Sequence, residues 1–181
     1  MDHIEYNGQL YPLFQTTGNA SRFALPFAKE FCFGEGLDVG CCKPEWCYPG
    51  AKPIDIEFDD PWDAYNLPAR VNVPLNTKWD YIYSSHCLEH LPDWVGALDY
   101  WFKNAKLVFL YLPHYEQEYW RPWNNRKHIT AFLPTMLKDY FNDRGYKSFV
   151  SEGWDLNHSF YAVATSYIDY EIEDIRQSAL T

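Results

Sequence analysis

The stretch from Gly34 to Glu57, GEGLDVGCCKPEWCYPGAKPIDIE, constrains this chain more than any other. Leu37–Val39 reads as a short apolar strand that carries Asp38 and runs into Gly40. A tight loop of small and turn-forming residues follows, and a second strand, Ile54–Ile56, carries Asp55. Two strand ends with a carboxylate each, joined by a glycine-bearing loop, form a nucleoside-binding arrangement. The first carboxylate suits the polar end of a ligand and the second suits a ribose diol. No helical pattern fits between Gly40 and Lys52, so a loop alone must join the strands.

The rest of the chain supplies the alternation that such a sheet needs. Asn7-Gly8 between Ile4 and Leu10 predicts an N-terminal hairpin. Asn19 or Ser21 can cap a helix to about Cys32, with Phe23, Phe27 and Phe31 on one face and a kink or late start at Pro26. Asp59–Pro68 reads as a loop or a single helical turn, and Arg70–Val73 as a third strand. Asp80–Ser85 is a fourth strand, and Asp93 caps a helix to about Asn104. Lys106–Leu112 is almost uninterruptedly apolar, as a strand buried on both faces should be. A long aromatic loop follows over 113–129, then a helix from Phe132 to Arg144 closed by Gly145. Lys147–Glu152 and Phe160–Thr165 are the last two strands, joined by a short turn and so antiparallel. The expected fold is α/β: a Rossmann-like three-layer sandwich whose seven-stranded, mostly parallel sheet has an antiparallel last strand. One domain over 1–181 is expected, with an N-terminal hairpin and helix over 1–33 and a polar tail over 168–181.

Charge and cysteine usage narrow the partners. Fifteen basic against twenty-five acidic residues give a net charge of −10, which repels nucleic-acid backbones and anionic membranes. The one basic cluster, Arg121, Arg126, Lys127 and His128, suits a single anionic group. No apolar run is long enough to span a membrane, and the N-terminus lacks the order of a secretory signal, so a cytoplasmic protein acting on a small molecule is expected. Five cysteines without framework spacing fit a reducing compartment.

The order of these motifs resembles the class I S-adenosylmethionine-dependent methyltransferases, most closely a compact branch with Leu-Asp-Val-Gly-Cys and Leu-Glu-His-Leu segments. The matching pieces are Leu37 to Cys41, Tyr48 to Ala51 before Ile54-Asp55-Ile56, Asp80 to Leu91, Leu110 to His114, and His128 through Phe141 with Gly145-Tyr146. The resemblance implies S-adenosyl-L-methionine as cofactor. It implies that Asp38 takes the methionine part, that Gly40 and Cys41 let the backbone approach it, and that Asp55 with Ile56 holds the ribose end. Asn72 falls where the adenine amine is met, and Ser85 and His86 fall at the floor of the methyl-transfer site. Cys42 stands where the family has a second glycine; at positive φ it would store strain.

Methyl transfer needs an in-line acceptor, removal of its proton and exclusion of water. His86 and His114 are the candidate bases. Tyr115, Trp120, Arg121 and His128, with Tyr119, Trp123 and Arg126 beside them, are the candidates for acceptor recognition, because aromatic faces pack rings and Arg forks anions. Glu89 and His90 can act as an acid–base pair or simply shape the helix entry. Cys41, Cys42 and Cys47 lack the paired C-x2-C spacing of zinc knuckles, and no metal is expected. The reading is therefore a methyltransferase for a small-molecule or glycan-type acceptor. The alternative is a non-catalytic S-adenosylmethionine- or nucleoside-binding protein on the same fold.

Overall fold

The structure of the chain, a computed structural model, describes residues 2–13, 20–55, 79–118 and 127–167. Two antiparallel strands open it, β1 (His3–Tyr6) and β2 (Gln9–Pro12). Asn7 and Gly8 turn between them with φ of 48° and 79°, the paired left-handed geometry that matches strand twist. A 3-10 turn over Ala20–Phe23 leads into α1 (Leu25–Ala28). The helix starts late because Pro26 occupies its first turn, where no amide donor is needed.

The main sheet contains β3 (Gly36–Val39), β4 (Lys52–Ile54), β5 (Trp79–Ser85), β6 (Ala105–Pro113), β7 (Lys147–Val150) and β8 (Ser159–Thr165), in the order β4-β3-β5-β6-β8-β7. The first four are mutually parallel, and β8 runs antiparallel to both β6 and β7. The sheet thus has six strands among the described residues, against the seven expected. Arg70–Val73 and the loop Asp59–Pro68 lie outside the described residues. The strand expected at Ile54–Ile56 begins earlier, at Lys52. A 3-10 turn over Pro44–Trp46 stands where a crossover helix is usual, so the short spacing is accommodated by trimming.

The two faces of the sheet bury different chemistry. Alternation along β5 and β6 sends Ile82, Val108 and Leu110 to one side, where they meet α2 (Trp94–Asn104) and α3 (Pro134–Asp143) through Leu98, Trp101, Leu137 and Phe141. Asp93 caps α2 by accepting the Gly96 amide at 2.8 Å. The opposite face is aromatic: Tyr81, Tyr83, Phe109 and Tyr111 lie under Ala24, Ala28, Phe31 and Tyr48. Tyr83 stacks on Phe109 at 5.6 Å and on Tyr48 at 4.9 Å. Phe27 stacks on Tyr161 at 4.6 Å. The N-terminal segment is therefore the third layer, and it carries Ser21 to the end of the sheet where the parallel strands exit. No described helix is long and apolar enough to cross a membrane.

Candidate active site

The carboxyl ends of β3 and β5 open into a cleft lined by Ser21, Asp38, Gly40, Cys41, Cys42, Trp46, Ser85 and His86. This is the place where open parallel sheets bind ligands. Five of the eight cofactor-binding residues expected from sequence meet here: Asp38, Gly40, Cys41, Ser85 and His86. Ile56 and Asn72 lie outside the described residues. Asp55 is 8% exposed and does not line the cleft; its Oδ2 accepts the Cys42 amide at 2.7 Å and so holds the loop from below.

Each wall follows from local backbone demands. Gly40 turns the chain at φ 82°, and its amide donates to the Ile54 carbonyl at 2.7 Å. A Cβ there would come within 2.5 Å of the Cys87 side chain, so only glycine fits. Cys42 adopts φ 64°, so the condition under which it stores strain in a glycine's place is met. Asp38 is 1% exposed, and its Oδ2 accepts the Tyr48 amide at 2.6 Å. Burial dominates over that bond and lifts its carboxyl to about 7. The Ser85 hydroxyl is buried with no hydrogen-bond partner, although it lines the cleft. Ser21 and Trp46 line the cleft and Ser159 contacts His86 from outside it, and none of the three is among the residues expected from sequence. Trp46, an aromatic residue inside the first loop, was the one findable signal.

His86 closes the floor with φ 51°, and its amide bonds the Tyr111 carbonyl at 2.9 Å. Its Nε2 lies 3.1 Å from Ser159 Oγ and its Nδ1 lies 3.6 Å from Glu89 Oε1. Burial, with His128 and His90 nearby, pushes its pKa down to about 3, so the ring is neutral. His114 sits apart from the cleft, 7% exposed, in edge contact with Trp154 and Phe160. Its Nδ1 accepts the Glu116 amide at 3.2 Å, and burial lowers its pKa.

A second polar group gathers beside His86 around Glu89, in the 3-10 turn Leu88–His90. Glu89 is wholly buried, and neither carboxylate oxygen has a hydrogen-bond partner. Burial raises its pKa to about 7. His90 Nε2 and His128 Nε2 stand 4.0 and 3.9 Å from Glu89 Oε1. The main-chain carbonyl of Glu89 accepts the amides of Ile129 and Thr130, which brings His128 to the cluster. Of the expected acceptor-binding residues, His128 is buried here and Tyr115 is 40% exposed. Trp120 and Arg121, with Tyr119, Trp123 and Arg126, lie outside the described residues.

Comparison with known proteins bears on the family and the fold. The family model described as a methyltransferase domain matches residues 17–149. A comparison with curated protein sequences finds no match. Among solved structures, a SAM-dependent methyltransferase from Aquifex aeolicus is similar at 16% identity and TM-score 0.54, covering 84% of this chain and 95% of that one. The complex between the Haloferax volcanii Trm112 methyltransferase activator and a methyltransferase contains a chain similar at 11% identity and TM-score 0.59, covering 87% and 95%. A cyclopropane-fatty-acyl-phospholipid synthase-like protein from Lactobacillus casei is similar at 11% identity and TM-score 0.52, covering 84% and 92%. At these identities the likeness is one of fold.

Proposed function

The chain belongs to the methyltransferase-domain family, and from that premise we propose that it transfers the methyl group of S-adenosyl-L-methionine to a small-molecule or glycan-type acceptor. The observation that carries this reading is the cleft itself. Asp38 and the unpartnered Ser85 hydroxyl converge there with a glycine turn that admits no side chain. A buried hydroxyl without a partner is costly, and a polar ligand group in the cleft relieves that cost. The residues present therefore fit the cofactor. When bound, it supplies a methyl group on a sulfonium.

The chain's own residues have the remaining tasks. Asp38, once ionised, holds a cationic group; Gly40 and Cys41 present backbone to the ligand; and Asp55 fixes the loop through the Cys42 amide, with Asp55 and Ile56 assigned to the ribose end by resemblance alone. Asn72 is assigned to the adenine. His86, neutral and held by Ser159 at the cleft floor, is kept as the first candidate base. His114 is kept as the second candidate base. Tyr115, Trp120, Arg121 and His128 are assigned to the acceptor. The formal charge of −10 favours a small molecule or glycan over nucleic acid.

The test is a thermal melt with S-adenosylhomocysteine. At a ligand concentration about 100 times Kd, binding adds about 2.7 kcal/mol, a rise of roughly 5–10 °C for a chain of this size. Asp38→Asn should abolish the rise, because the amide keeps the Tyr48 bond but loses the charge. An unshifted melt of the native chain at millimolar ligand would sink the reading. With binding established, release of S-adenosylhomocysteine from metabolite fractions identifies the acceptor class.

A further inference from the structure

We propose that Glu89, His90 and His128 form a binding site for one divalent transition-metal ion of the zinc class, set beside His86 at the cleft floor. One ligand atom from each of the three residues lies within 4.8 Å of the other two. Ligands at about 2.0–2.2 Å from a tetrahedral Zn2+ are about 3.3–3.6 Å apart. The distances of 3.9 and 4.0 Å from Glu89 Oε1 to the two imidazoles need to contract by only a few tenths of an ångström.

The hydrogen-bond bookkeeping around Glu89 demands a cation or a proton. His90 Nδ1 lies 2.7 Å from the Lys127 carbonyl, which can only accept. His90 Nδ1 therefore carries a proton, and in the neutral ring Nε2 points a lone pair at Glu89. On the other side, the Ser159 hydroxyl donates to the Asn157 carbonyl, so Ser159 Oγ accepts from His86 Nε2. That leaves the His86 Nδ1 lone pair facing Glu89 Oε1 at 3.6 Å. Two bare imidazole nitrogens thus confront a wholly buried carboxylate that has no hydrogen bond of its own. Acceptors facing acceptors repel, and buried carboxylates are otherwise paired or coordinate metals.

The His90 tautomer matches what a metal ligand requires. A ligating histidine donates its other ring N–H to a carbonyl or carboxylate, as His90 does to Lys127. Two imidazoles with one carboxylate favour zinc-like ions over Mg2+ or Ca2+, which prefer oxygen-only sets. His86 belongs both to the cleft lining and to the shell around Glu89, so the ion is adjacent to where an acceptor binds. There it lowers the pKa of a bound oxygen, a role that rests on the methyl-transfer reading; metal binding itself does not.

The experiment uses the full chain stripped with a chelator and titrated with Zn2+, with metal content measured after desalting and Co2+ as a spectroscopic probe. The expected result is one equivalent per chain, a higher melting temperature, and tetrahedral Co2+ absorption. Glu89→Gln should weaken Zn2+ binding by more than the roughly 10–100-fold that outer-shell changes cost. His90→Gln, at a half-exposed position, should do the same and serves if the first variant fails to fold. Less than stoichiometric Zn2+, or binding kept in both variants and lost on replacing Cys41, Cys42 and Cys47 with serine, would overturn the site. Equal binding of Mg2+ would overturn the metal class. An S-adenosylhomocysteine melt on the same stripped protein reads the cofactor cleft separately, so the two proposals fail independently.

Discussion

Asp38 and Glu89 are both carboxylates sealed from solvent at the exits of neighbouring strands, and burial lifts both to about 7. They differ in their partners. Asp38 receives a backbone amide at 2.6 Å from its own loop, whereas Glu89 receives no hydrogen bond and is faced by imidazole nitrogens. The first is a preformed wall of a ligand cleft, complete except for its ligand's charge. The second is an electrostatic gap that the chain alone does not close. Similar burial thus serves two chemistries, and the partner set rather than the pKa tells them apart.

The largest effect that can break this contrast is on stability against pH, measured in chelator. Both carboxyls are raised above their ordinary 3.8 and 4.5. The folded chain therefore keeps protons that the unfolded chain releases, and stability falls as pH rises from about 4 through 7. At about 1.36 kcal/mol per pH unit, each costs roughly 3–4 kcal/mol by pH 8. Asp38→Asn and Glu89→Gln should each flatten the slope and raise the alkaline melting temperature. Glu89→Gln adds donors for the bare imidazole nitrogens. A lower melting temperature for Glu89→Gln at pH 8 would mean that Glu89 is already satisfied, and the contrast would be lost.

A somewhat smaller effect tests how the two regions meet. Gly40 belongs to the Asp38 loop and Cys87 to the Glu89 segment, and a Cβ on Gly40 would overlap Cys87. Gly40→Ala should cost about 3 kcal/mol in urea unfolding and abolish the S-adenosylhomocysteine shift. Adding Cys87→Ala should recover part of the stability, because it removes the overlap but not the φ of 82°. No recovery would mean that backbone strain alone sets the cost. The smallest effect sharpens the Asp38 side. Cys42→Gly should relieve a left-handed residue and stabilise the fold by about 1 kcal/mol, with tighter S-adenosylhomocysteine binding; unchanged or weaker affinity would show that the Cys42 side chain is neutral or useful there.

Much of this site was legible because its signals are local. Strand, carboxylate and glycine in one short run placed Asp38 and Gly40 together, whereas the positive φ of Cys42, conditional from sequence, is a finding of the structure. Likewise β6 was readable from one apolar run and α2 from its cap and spacing. Asp55 was assigned to the ligand by motif, yet its observed bond is to the loop amide of Cys42. That role depends on how β4 pairs with β3, which no local pattern states.

By itself the sequence determined the α/β class, the trimmed connection after β3, the cleft's acidic and glycine walls and the aromatic burden that one face of the sheet must bury. Tertiary structure alone decided that β8 inserts between β6 and β7, bringing Ser159 to His86. It also decided that the chain after the aromatic loop bonds the Glu89 turn and delivers His128 to Glu89 and His90. Those meetings join residues 37 to 73 positions apart, and whether such side chains are partners or strangers is set by sheet order and long-range backbone hydrogen bonds, which leave no periodic trace along the chain.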